Sequence, residues 1–180
     1  MAQGAKVGLT LLGIQLSLAA CLAHVQNPVT HVVVFPVHSR ATSPNGRFAL
    51  INVDSGVEPY HTMFLEDRRL KARREILKYE RRAEVLWNPD GKSFAFSDFA
   101  GSDYSVCTIA SVNEKTEVIP VLENLLNRVS AAERDNIKRN DHLSIAGIRW
   151  IDTKTLLVKI WGHDSDKRKG FERFYRYGLP

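Results

Sequence analysis

The stretch that most limits what this chain can become runs from Ala83 to Val112, AEVLWNPDGKSFAFSDFAGSDYSVCTIASV. Asn88-Pro89-Asp90-Gly91 is a tight turn. The ring of Pro89 holds φ near the value the second turn residue needs, and Gly91 takes positive φ without a steric penalty. Apolar runs flank it, Val85-Leu86-Trp87 before and Phe94-Ala95-Phe96 after. Phe94 and Phe96 stand two apart, so both face one side of a strand. Gly101-Ser102-Asp103 makes a second polar break, after which Tyr104, Val106, Thr108 and Ala110 alternate with Ser105, Cys107, Ile109 and Ser111. Asn113-Glu114-Lys115 breaks the pattern again before Glu117-Val118-Ile119. The segment predicts four short strands joined by tight turns, and so a mainly β chain.

The turn recurs. Ser43-Pro44-Asn45-Gly46-Arg47-Phe48-Ala49-Leu50 matches Asn88 to Ala95 in character, with Pro44 and Pro89 45 positions apart (89 − 44). Trp150-Ile151-Asp152-Thr153-Lys154-Thr155-Leu156-Leu157 echoes Trp87 to Phe94, with its turn one residue shorter and without Pro or Gly. The two tryptophans are 63 positions apart (150 − 87); without a helical insert of roughly 20 residues the spacing returns to about 43, inside the range of propeller repeats. The Trp87-Asn88-Pro89-Asp90-Gly91-Lys92 pattern, followed by small or apolar residues, resembles the WD40-like blades of TolB and dipeptidyl-peptidase type propellers. It runs from Val32 to the C-terminus in about three copies.

The resemblance implies about three four-stranded antiparallel blade-like sheets, a partial propeller, with one helical insert near 120–140. It also implies a binding surface, an analogy from fold alone. Rings close with about 4 to 8 blades. Three therefore leave sheet edges open for another chain, or pack as something other than a propeller. An ordinary antiparallel sandwich with two similar hairpins is the other reading of the same residues.

Residues 1–23 are expected to be a signal peptide. Lys6 supplies the positive start, and Val7 to Ala20 is an apolar run too short to span a bilayer comfortably. Leu18-Ala19-Ala20-Cys21 resembles a bacterial lipobox, which makes Cys21 the expected lipidation site and membrane anchor. A plain secretory signal cut near Ala20 or Ala23 is the alternative. Residues 24–30 are expected to be a tether and 31–180 a single β-rich domain. Cys107, in an alternating strand, is expected to be a buried, inert thiol.

Further strands are expected at His31 to Val37, Arg47 to Val53, Tyr60 to Leu65, Ile145 to Trp150, Thr155 to Trp161 and Phe171 to Leu179. Asp67 to Arg82 is rich in helix formers. Its place in the repeat asks instead for a turn near Arg68–Leu70 and a strand from Arg73 to Tyr79, and the strand is the reading taken. Leu122, Leu125, Leu126, Val129 and Ala132 follow helical spacing. Pro120 suits a first turn, and Ser130-Ala131-Ala132-Glu133 is a capping-box pattern for a second short helix. This insert is expected to cap an exposed sheet edge.

The chemistry of the sequence is sparse. It has no Gly-x-Ser-x-Gly elbow, P-loop, dinucleotide fingerprint, His-Glu-x-x-His or paired-cysteine zinc motif. His163-Asp164-Ser165-Asp166 is the one dense run of potential ligands, amid Lys and Arg. Arg68, Arg69, Lys71, Arg73 and Arg74 form a basic cluster suited to an anionic surface, or to a solvated edge that resists strand pairing. The formal charge of +5 permits such contact. Nucleic acid is not an expected partner, since only Tyr79 could stack among these cations. No cofactor is expected. The expected function is that of a non-enzymatic exported envelope protein, lipid-anchored and placed in the periplasm or outer envelope. It would bind another protein or an anionic envelope component, with self-association through an open sheet edge. The alternative is a small hydrolase or metal-dependent enzyme centred on His163 and Asp164.

Overall fold

A computed structural model describes residues 31–113, 116–163 and 170–179. In chain order the elements are β1 (Val33–Phe35), β2 (Arg40–Thr42), β3 (Phe48–Asp54), β4 (His61–Asp67), β5 (Ala72–Tyr79), β6 (Arg82–Trp87), β7 (Ser93–Phe99), β8 (Val106–Ser111), β9 (Val118–Pro120), α1 (Val121–Leu126), α2 (Ala131–Lys138), β10 (His142–Trp150), β11 (Thr155–His163) and β12 (Gly170–Gly178). They form three antiparallel sheets: a first of order β2-β3-β4-β5, a central one of order β1-β6-β7-β8-β9, and a third of order β10-β11-β12.

Strand alternation explains the layering. Phe94 and Phe96 of β7 enter one core with Val85 and Trp87 of β6, and meet Phe48, Leu50, Met63 and Leu65 of the first sheet. The intervening Leu86 and Ala95 enter a second core with Ile145, Trp150, Leu156, Val158 and Ile160 of the third sheet. The central sheet is therefore apolar on both faces and lies between the other two, the burial that unbroken apolar runs such as Val85-Leu86-Trp87 require.

The repeated turns recur as geometry. Trp87 donates its indole N–H to the Ala41 carbonyl of β2 at 3.1 Å, and Trp150 donates to the Leu86 carbonyl of β6 at 3.1 Å. Each tryptophan thus binds a carbonyl two residues ahead of the corresponding turn in the preceding sheet. The turns are also linked: Asn45 Nδ2 donates to the Asp90 carbonyl at 3.1 Å, and Asn88 Nδ2 to the Thr153 carbonyl at 2.8 Å. Gly91, at φ +67°, packs against Asn45 so closely that a Cβ there would lie 2.4 Å from Asn45 Nδ2.

The propeller expectation is nevertheless overturned. The sheets hold five, four and three strands, not four each, and none closes into a barrel or propeller. The physical reason is where the short and terminal strands pair. β1 does not begin a blade of its own but adds to β6, Val33 opposite Val85. The third sheet, after β12, has no fourth strand among the described residues.

The ambiguous Asp67 to Arg82 segment contains the turn and strand expected of it. Asp67 Oδ1 accepts the N–H groups of Arg69 and Leu70, Lys71 takes φ 53°, and β5 pairs along β4. Tertiary pairing overrides the helical propensity of this composition. The helical insert is two short helices. Ser130 Oγ accepts the Glu133 N–H at 3.2 Å, as its capping pattern predicts. Where an edge cap was expected, the pair instead enters the second core through Val121, Leu125 and Ile137.

Candidate anion-binding cleft

Both glycine turns are followed by a cation, Arg47 after Gly46 and Lys92 after Gly91. Stacking the first sheet on the central one brings these two positions to one end of the molecule. There the β4–β5 turn and the start of β5 add Leu70, Arg73 and Arg74. The result is a cleft of about 780 Å³, whose cationic lining is Arg47, Arg73, Arg74 and Lys92, set against the carboxylates of Asp67 and Glu117. Phe48, Leu65, Leu70 and Val112 supply its apolar surface.

The four cations are not equivalent. Arg47 is spent on Asp67, Nη2 to Oδ2 at 2.9 Å. That hydrogen bond, opposed by partial desolvation and helped by the Leu70 and Arg69 amides, holds the Asp67 carboxyl below its ordinary value. Arg74 is fastened by Nη2 to the carbonyls of Val112, at 3.0 Å, and Asn113. Its Nε is buried without a hydrogen-bond partner among the described residues. Arg73 lies over the Phe64 ring, 4.0 Å from its centroid. Neither Arg73 nor Lys92 forms an ion pair among the described residues, although the charge of Arg73, opposite Glu66 in the β4–β5 register, also acts on the Glu66 carboxylate.

The basic cluster expected from the sequence is divided by this geometry. Arg73 and Arg74 line the cleft, while Arg68, Lys71 and Arg73 border a neighbouring depression of about 420 Å³ with Glu66. Arg69 borders neither. Arg68 donates to the Gly46 carbonyl at 3.0 Å and so braces the first turn. Arg47 and Lys92 were not among the expected site residues. Their signal was present in the aligned turns, as the cation that follows the glycine in each copy.

Compared with known protein families, curated proteins and solved structures, this chain matches none. The resemblance to WD40-like blades thus has neither a family match nor the architecture behind it, and the separate expectation of a lipoprotein signal peptide at residues 1–23 gains no family support either. The signal peptide, the tether and Cys21 fall outside the described residues. Among the described residues no helix is long and apolar enough to cross a membrane. Cys107 is buried, and that burial pushes its thiol up to about 12, against weaker opposing hydrogen bonds from Ser97 and Gly147, as an inert thiol requires.

The alternative centre at His163 and Asp164 is only half visible, since Asp164 lies outside the described residues. The His163 ring sits 4.5 Å from that of His142, and His142 Nδ1 is 3.8 Å from Asp103. No group of three or more potential ligands is placed to hold a metal among the described residues. A tighter histidine–carboxylate contact lies elsewhere: His61 Nδ1 is 2.6 Å from Asp54 Oδ1. That hydrogen bond, then one from Asn52, lowers the Asp54 carboxyl from its ordinary value. His61 stacks on Tyr79, whose hydroxyl donates to Asn52 at 2.6 Å. The adjacent Ser55 hydroxyl faces the carbonyls of Val57 and Pro59 within its own loop, at 2.6 and 2.9 Å. This cluster organises a loop and presents no activated nucleophile.

Proposed function

We propose that this protein is a non-enzymatic, exported binding module whose cleft takes up the anionic group of an envelope component. The observation that supports this most directly is that Arg73 and Lys92, neither held in an ion pair among the described residues, line one cleft with the apolar surface of Leu70, Val112, Phe48 and Leu65. Such a site favours an anion joined to an apolar body, as in a phospholipid with a charged headgroup. Leu70, 68% exposed at the tip of the β4–β5 turn, is placed to meet the apolar part. The envelope address is supported by the charge and hydropathy pattern of residues 1–23. The mass of the mature N-terminus checks that address: cleavage near Ala20 or Ala23 supports export, and an intact Met1 overturns it.

Binding is checked by calorimetric titration with a short-chain phosphatidylglycerol below its micelle concentration, with the matching phosphatidylcholine as control. The anionic lipid is expected to bind and the zwitterionic one not. The Arg73→Ala/Lys92→Ala double variant is expected to weaken binding by about tenfold or more, and added salt to weaken it further. Equal binding of both lipids, or a double variant that binds like the parent, would sink the proposal.

A further inference from the structure

Each sheet edge presents unpaired backbone N–H and C=O groups, and folded proteins blunt such edges with short strands, cations or bulges. β1, β2 and β9 have three residues each. β5 carries Arg73, Arg74 and Lys78, and its pairing with β4 shifts register between Met63 and Phe64. β10 is met by Ser105, which bridges to Ser144 and bonds the Ile145 N–H. β12 differs from all of these. It has nine residues, pairs with β11 without a register shift, and is met by no further strand or bridge among the described residues.

The direction of its free edge follows from one bond. Leu179 N–H donates to the Lys154 carbonyl at 2.8 Å, on the β11 side. Antiparallel alternation then turns the backbone groups of Tyr177, Tyr175 and Arg173 toward β11, and those of Arg176, Phe174 and Glu172 outward. The strand GFERFYRYG is nearly a palindrome about Phe174. Glu172 and Arg176 stand two residues to either side, Phe171 and Tyr177 three, and Gly170 and Gly178 four.

We propose that β12 is a homodimer interface, in which two copies pair edge to edge, antiparallel, with Phe174 on the two-fold axis. In that register Phe174 faces Phe174, and its outward N–H and C=O bond their counterparts. Glu172 of each copy stands opposite Arg176 of the other, again at outward-bonding positions, so hydrogen bonding and charge agree in one register. Phe174, 54% exposed in the single chain, becomes covered. Glu172, already 2.8 Å from Lys159, gains a second cation. The two three-stranded sheets become one of six strands. The symmetry of the charges points to a second copy of this chain rather than an unrelated strand, because a two-fold contact requires a surface complementary to itself. The Gly178 carbonyl is held by Arg128, which ends the pairing at that side. Arg173 holds the Glu172 carbonyl at 2.9 Å by an exposed contact to the preceding residue, which the dimer displaces.

The test is sedimentation equilibrium on the full chain over a range of concentrations. The parent is expected to show a monomer–dimer equilibrium. Glu172→Arg and Arg176→Glu each place like charges opposite one another twice and are expected to weaken the dimer by about tenfold or more. Mixing the two single variants restores opposite charges at both sites, and a heterodimer is expected. Phe174→Pro removes an outward N–H that β11 does not use, and is expected to give a folded monomer. Hydrogen exchange at Glu172, Phe174 and Arg176 is expected to slow with rising concentration. A parent that is monomeric throughout, single variants that dimerise like the parent, or edge amides protected in the monomer by another segment of the chain would each overturn the proposal.

Discussion

Alanine in place of Trp150 is expected to lower the unfolding free energy by about 3–5 kcal/mol. The side chain is buried in the second core with Leu86, Ile145 and Leu156, and its indole N–H satisfies the Leu86 carbonyl at 3.1 Å. That carbonyl belongs to a residue paired with Ala95 in the β6–β7 ladder, so the indole is its second donor. The substitution therefore opens a cavity and also removes one hydrogen bond. Trp150→Phe keeps most of the packing and loses the hydrogen bond, so it is expected to be milder, at about 1–3 kcal/mol. Trp87 makes the equivalent contact to Ala41 in the first core, and the same order of Ala above Phe is expected there. Urea unfolding of the four variants checks this. Losses that were equal for Phe and Ala at either site would show that the ring contributes little beyond its N–H. Against a total stability of about 5–15 kcal/mol, the alanine variants stand near the edge of folding.

Asp98→Asn is expected to act in the opposite direction, and only above a certain pH. Burial, and secondarily the nearby charge of Glu80, pushes the Asp98 carboxyl up to about 6, and its Oδ1 is buried without a hydrogen-bond partner among the described residues. A carboxyl whose pKa is higher folded than unfolded keeps its proton longer in the native state. Between the ordinary value near 3.8 and about 6 the native state therefore binds more protons than the unfolded state, and stability falls as pH rises through that window. Below it Asp98 is neutral in both states and imposes no ionisation cost. Above it the full cost of the buried charge is present, about 1–3 kcal/mol for a half-buried group. Asparagine removes the charge, so the variant is expected to be about that much more stable than the parent at pH 7.5 and no more stable at about pH 3, below the window. Thermal unfolding at the two pH values checks it. A gain independent of pH would mean that ionisation at Asp98 is not the cause.

Particular elements show how much was legible. The Asn88–Gly91 turn, the shared face of Phe94 and Phe96, the Ser130 cap and the strand hidden in Asp67 to Arg82 all follow from spacing within a few residues or from the repeat. Of the candidate site, the sequence marked Arg73 and Arg74 as part of a basic run but could not separate them from Arg69, which borders neither depression. The run is contiguous in the chain, whereas strand alternation and the turn send its members in different directions. Arg47 and Lys92 were passed over because each stands alone in sequence and gains company only when two turns are stacked.

The amino-acid sequence by itself determined that this chain is mainly β, where its turns fall, and which side chains alternate toward a core. Those choices depend on φ preferences and on the two-residue period of a strand, which neighbours along the chain settle between them. Tertiary structure alone decided that β1 adds to β6, that the sheets number five, four and three strands, that the helices enter the second core, and that Arg73, Arg74 and Lys92 share one cleft. These are choices among partners distant in sequence, made by which pairing buries the most apolar surface and leaves the fewest backbone groups unbonded, and no local window of residues contains that comparison.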